Sequence, residues 1–107
     1  MNLKGWMDEI LHKLSGTKEI ITEIKREPHY LPYAGYIKGK KDELIRINGN
    51  PPSLVRIGLA HILAHELAHR EHLELYGDYG DDFSEAFREL EWMYIQKIWE
   101  LCNKEHE

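Results

Sequence analysis

Cysteine is almost missing from this sequence. Cys102 stands alone in 107 residues, which excludes an intramolecular disulfide and, with it, the small stapled scaffolds of secreted chains. Long apolar runs are missing too. No stretch approaches the ~20 residues that a membrane span requires. The N-terminal Met1–Ile10 carries Asp8 and Glu9 where a signal peptide needs an apolar run. Excess positive charge is a third absence. The formal charge is −5, and the short run Lys38-Gly39-Lys40-Lys41 reads as a solvated turn. A phosphate backbone rewards clustered Lys and Arg, so neither nucleic acid nor a membrane is an expected partner. The default compartment is the cytoplasm. Proline is scarce, with four residues that punctuate the chain at two places, Pro28/Pro32 and Pro51/Pro52.

What is present suffices for a packed core. Hydrophobic residues make up 42% of the chain and include three tryptophans. The length suits one domain over 1–107, with no internal repeat, low-complexity segment or linker.

Periodicity predicts the elements. Leu3, Met7, Ile10, Leu11 and Leu14 fall at helical spacing, and Ser15-Gly16 stops that helix. Between Lys18 and Lys25, Ile20, Ile21 and Ile24 fit a helical stripe, but the β-branched run Ile20-Ile21-Thr22 favours a strand. Tyr36–Lys38 and Glu43–Ile47 read as two short strands joined by a turn at Gly39–Asp42. Asn48–Pro52 ends the sheet, with Asn50 as N-cap and Pro51 at the first helical position. A long helix should then run to about Leu75, apolar on nearly every side and therefore buried. Gly77-Asp78-Tyr79-Gly80 breaks it, and a last helix begins near Asp82 or Ser84 and reaches about Cys102. The expected class is α+β: an N-terminal helix, a small sheet or hairpin, then two helices.

Four histidines, His61, His65, His69 and His72, lie on the long helix. His65 and His69 are i and i+4, so their rings leave one face about one turn apart and can converge on a single Zn²⁺. Glu66 is rotated by about 100° around the helix, poorly placed as a third ligand but able to take a proton from a water at the metal. His61 and His65 share the spacing, yet residue 62 is Ile62, so that pair lacks a base. His72 lies ~10 Å along the axis from His65, too far for the same tetrahedral site, which leaves it a rim or supporting position. Tyr76, Tyr79 and His72 are candidates to donate to an oxyanion, against the simpler reading of the tyrosines as packing residues. His12 and His29 read as surface histidines.

The segment His65-Glu66-Leu67-Ala68-His69, followed by Ser84-Glu85-Ala86-Phe87-Arg88-Glu89, resembles the gluzincin metallopeptidases. Those enzymes pair HExxH with a downstream helix of pattern E-A-x-x-D. Glu85-Ala86 matches the zinc-binding glutamate and the small residue after it. Glu89 stands, as Glu rather than Asp, where the family holds the first histidine. The metzincin pattern fails, because it needs glycine and histidine where this chain has His72 and Leu75. Size and element order look most like the soluble minigluzincins. The resemblance implies one catalytic zinc on His65, His69 and Glu85, with Glu66 as the base and Glu89 supporting His65. It implies a peptide or protein substrate lying along an edge strand, which here would come from the Tyr33 to Ile47 region. Two observations in the sequence pull against Glu85. Asp82-Phe83-Ser84-Glu85 is also a plausible capping box. Phe87, Leu90, Tyr94, Ile98 and Leu101 form an apolar stripe opposite Glu85 and Glu89, although Trp92 and Trp99 share the acids' side.

Two other functions fit parts of the pattern. A deformylase-type amidase would also use HExxH, but with a cysteine ligand upstream of it, and no cysteine precedes Cys102. A non-enzymatic helical binding module would take up no stoichiometric zinc. The tail after Cys102 carries His106, Glu107 and the terminal carboxylate, all able to compete for an open zinc position. It is either a solvated terminus or an autoinhibitory segment, acting in its own chain or in a second copy as a homo-oligomer contact.

Overall fold

The computed structural model describes residues 3–25, 34–48 and 56–104. Three helices and a three-stranded mixed sheet, in the expected order, make an α+β chain. The expectation of one domain meets two compact units, Met1–Gly58 and Leu59–Glu107.

In the first unit, α1 (Leu3–Ser15) buries Trp6, Met7, Ile10 and Leu11, close to the stripe its periodicity predicts. Gly16, at φ +75°, ends it by donating its N–H to the His12 carbonyl at 3.0 Å. The ambiguous segment that follows is a strand, β1 (Ile20–Lys25). It buries Ile20 and Thr22 and packs against α1.

Two polar clips fasten α1 to β1. Asp8 Oδ1 accepts from both the backbone N–H and the hydroxyl of Thr22, each at 2.7 Å. His12 donates from Nε2 to the Ile20 carbonyl at 2.9 Å, so it is a half-buried clip rather than the surface histidine expected. Burial pushes the Asp8 carboxyl up, but the bonds from Lys4 and Thr22 outweigh it and hold the pKa below its ordinary value of 3.8.

Strands β2 (Ala34–Lys38) and β3 (Glu43–Asn48) form the expected hairpin. The sheet order is β1-β3-β2, with β3 central, parallel to β1 and antiparallel to β2. The central strand alternates, with Ile45 and Ile47 fully buried. In the hairpin loop Gly39 donates to the Asp42 carbonyl at 2.8 Å, and a Cβ there would lie 2.6 Å from the Asp42 carboxylate. The expected N-cap Asn50 and the prolines Pro51 and Pro52 lie outside the described residues, as do Tyr33 and His29.

The long helix α2 (Arg56–Tyr76), which belongs to the second unit from Leu59 on, buries Leu59, Ala60, Leu63, Ala64, Leu67 and Ala68. It is less uniformly buried than its composition suggests, because His61 is exposed and His65 and His69 are half-buried. Gly77, at φ +81°, closes it with its N–H on the Leu73 carbonyl at 2.9 Å. The last helix, α3 (Glu85–Lys104), buries Phe87, Tyr94 and Ile98, three members of the predicted stripe. Its N-cap is Ser84, whose Oγ accepts from the Phe87 N–H at 3.3 Å, which leaves Asp82 free of the capping role. Among the described residues no helix is long and apolar enough to cross a membrane.

Candidate metal centre

The i, i+4 geometry of α2 brings the Nε2 atoms of His65 and His69 to 3.2 Å from each other. Asp82, in the turn before α3, adds a carboxylate oxygen 3.0 Å from His69 Nε2 and 3.5 Å from His65 Nε2. Among the described residues these three side chains form a group able to hold a metal ion. Four ligands at zinc's ~2.0–2.1 Å in a tetrahedron leave donor atoms about 3.3 Å apart, which the three separations bracket.

Hydrogen bonding on the far side of each ring suits the same chemistry. His65 Nδ1 lies 2.5 Å from the Glu91 carboxylate and His69 Nδ1 lies 2.6 Å from the Tyr79 carbonyl. Both partners are acceptors, so in the neutral imidazoles the proton sits on Nδ1 and the lone pair on Nε2. Two lone pairs and a carboxylate oxygen then converge on one point, an arrangement that a cation satisfies. The donor set of two imidazoles and a carboxylate is one that zinc takes in catalytic sites.

Phe87 forms the floor. Fully buried, its ring lies 5.0 Å from that of His65, edge-on, and 4.3 Å from that of His69. Close apolar packing limits the rotamers open to both imidazoles. Asp82 is the exposed side of the site, with 52% of its side chain accessible, so solvent and small molecules can approach there.

Glu66 is 4% exposed, a buried carboxyl among apolar helix residues. Burial pushes its pKa above the ordinary value of 4.5; His65 and His69 pull it down and Asp82 adds to the rise. A buried carboxylate whose proton affinity is raised is a stronger proton acceptor than an exposed one.

The remaining expected residues are distributed differently. Glu85 and Glu89 are both exposed on α3, and neither belongs to the group that gathers around His65 and His69. Asp82 stands in the third position that the resemblance assigns to Glu85. Glu91 stands in the supporting position assigned to Glu89. The physical reason is helical phase: the stripe led by Phe87 turns inward, which carries Glu85 and Glu89 outward. Glu91 is i+4 from Phe87 and shares the inward face. That spacing was the available signal for Glu91. For Asp82 the only signal was its place in a turn between the two helices.

His72 is 8% exposed and not among the candidate ligands. Its Nδ1 lies 2.8 Å from the Asp78 carbonyl, and the Tyr76 ring rests against its own at 4.5 Å. Tyr76 is 60% and Tyr79 46% exposed, and Tyr79 serves the site through its backbone carbonyl. Trp92 and Trp99, on the side of the outward acids, are exposed as well. The tail residues His106 and Glu107 lie outside the described residues. No protein-family model, curated protein or solved structure matches this chain.

Proposed function

We propose that this chain is a zinc-dependent peptidase, with His65, His69 and Asp82 holding the metal and Glu66 acting as general base. The observation that carries the reading is the convergence of two Nε2 atoms and a carboxylate oxygen within 3.0–3.5 Å of one another, with the buried Glu66 following His65 on the same helix. Zinc in such a site supplies a Lewis acid for the scissile carbonyl and a water acidic enough to ionise near neutral pH.

The chain's own groups do the rest. Glu66 takes a proton onto its carboxylate from the attacking water and later delivers it to the leaving amine nitrogen. Glu91 and the Tyr79 carbonyl hold the Nδ1 protons of His65 and His69, which fixes the tautomer each ring needs. Phe87 keeps the inner side of the rings dry. Peptide as the substrate class rests on the HExxH resemblance. A cytoplasmic setting rests on the chain's having a single cysteine, Cys102.

The test is zinc content combined with hydrolysis. The purified chain should hold about one zinc and cleave a mixed peptide library, while Glu66→Ala keeps the zinc and loses at least ~10²-fold in rate. A chain that binds no zinc, or a Glu66→Ala variant as fast as the parent, would overturn the reading.

A further inference from the structure

The third ligand comes from a turn, and something must hold that turn in place. His69 and His72 are i and i+3 on α2, so both rings face the segment that follows the helix. His69 Nδ1 bonds the carbonyl of Tyr79 at 2.6 Å, and His72 Nδ1 bonds that of Asp78 at 2.8 Å. Two rings one turn apart thus grip two consecutive peptide carbonyls.

Gly80 comes next and has no freedom to move inward. Its φ is +83°, and a Cβ there would lie 2.8 Å from Cγ, 2.9 Å from Cδ2 and 3.1 Å from Nδ1 of His72. The backbone therefore rests directly on the imidazole. The Asp78 carboxylate completes the arrangement, accepting the Gly80 N–H at 2.9 Å while lying 3.2 Å from His72 Nδ1. Two residues further on, Asp82 places its oxygen 3.0 Å from His69 Nε2.

We infer that His72 is a positioning residue for the metal centre: a buried strut that sets the path of Asp78–Gly80 and thereby the location of Asp82. The inference rests on the proposed metal site and adds a residue that is not among its candidate ligands. His69 also donates to this turn, at the Tyr79 carbonyl, but it is itself a proposed ligand. His72 is the part of the grip that serves only to hold the turn.

The experiment uses the full chain and two probes. Zinc affinity is measured by competition with a chromophoric chelator, and the visible spectrum of the Co²⁺-substituted chain reports coordination geometry. His72→Ala should lose ~10–100-fold in zinc affinity, the scale for residues that orient ligands, and weaken the Co²⁺ band. His72→Asn, which can return an N–H near the position of Nδ1, should recover much of both. Because His72 acts through Asp82, adding His72→Ala to Asp82→Ala should cost little more than Asp82→Ala alone. Parent-like affinity in His72→Ala, or losses that simply add, would overturn the inference. A parent chain that takes up no metal sinks the metal reading by itself. The strut is then judged by amide exchange across Gly77–Asp82 in the metal-free chain, which should quicken in His72→Ala but not in the exposed-site variant His61→Ala. Equal exchange in the two variants would sink the strut.

Discussion

Glu91 on α3 reaches His65 on α2, its Oε2 lying 2.5 Å from Nδ1, and so ties the two helices together at the atom that decides which face of the imidazole is basic. Removing the carboxylate should loosen the ring and let the other tautomer compete. Glu91→Ala is expected to weaken zinc binding by ~10–100-fold, and Glu91→Gln, which keeps an acceptor, by less. Isothermal titration of the metal-free variants reads this directly. Unchanged affinity in Glu91→Ala would show the contact to be incidental.

The proposed ligand set makes an ordered prediction. His65→Ala and His69→Ala should abolish tight zinc binding, while His61→Ala should keep it. Asp82→Ala should cost far more affinity than Glu85→Ala or Glu89→Ala, whose side chains are exposed on α3. The reverse order, with Glu85 dominant, would restore the assignment made from the E-A-x-x-D resemblance.

Zinc should also act as a folding ligand, because the site exists only when α2 and the turn carrying Asp82 are in place. Binding to the native state alone stabilises it by about 2.7 kcal/mol when free metal is a hundredfold above Kd. Thermal melts should therefore rise with added zinc and fall with chelator in the parent chain, and do neither in His65→Ala. A melting temperature indifferent to zinc in the parent would contradict a preformed site.

Asp8 supplies a pH-dependent stability term in the first unit. Its carboxyl is held below the ordinary value of 3.8, so the folded state favours the ionised form. The stabilisation is fully present above that ordinary value and is lost as pH falls through the depressed folded one. Asp8→Ala should cost about 1–3 kcal/mol at neutral pH, since it removes charge-assisted bonds to Thr22 and Lys4. The gap between parent and variant in urea melts should close as the pH is taken below 4. A gap that persists unchanged at pH 2 would mean that the carboxylate's charge contributes nothing.

The N-terminal helix, the hairpin and the His65–His69 pair could be read from the sequence because each depends on neighbours in the chain. Apolar residues three and four apart define the face of α1. The turn Gly39-Lys40-Lys41-Asp42 between Lys38 and Glu43 defines the hairpin. The i, i+4 spacing alone sets His65 beside His69, and about 100° of helical rotation sets Glu66 apart from them. Local sequence does not by itself decide the strand at Ile20–Lys25, because its pairing lies elsewhere: it runs parallel to β3, which begins only at Glu43.

Which carboxylate joins His65 and His69 was decided by tertiary structure. Asp82, Glu85 and Glu89 all lie within a few residues of the start of α3, and local pattern does not choose among them. The choice follows from the phase of α3, set by the Ser84 cap and the buried Phe87 stripe. It follows equally from the path of the turn, which Gly77 and Gly80 follow at positive φ with His69 and His72 holding its carbonyls. Glu91 meets His65 across 26 residues for the same reason. A helix's own periodicity says which side chains share a face, but only packing against a second helix says where that face points.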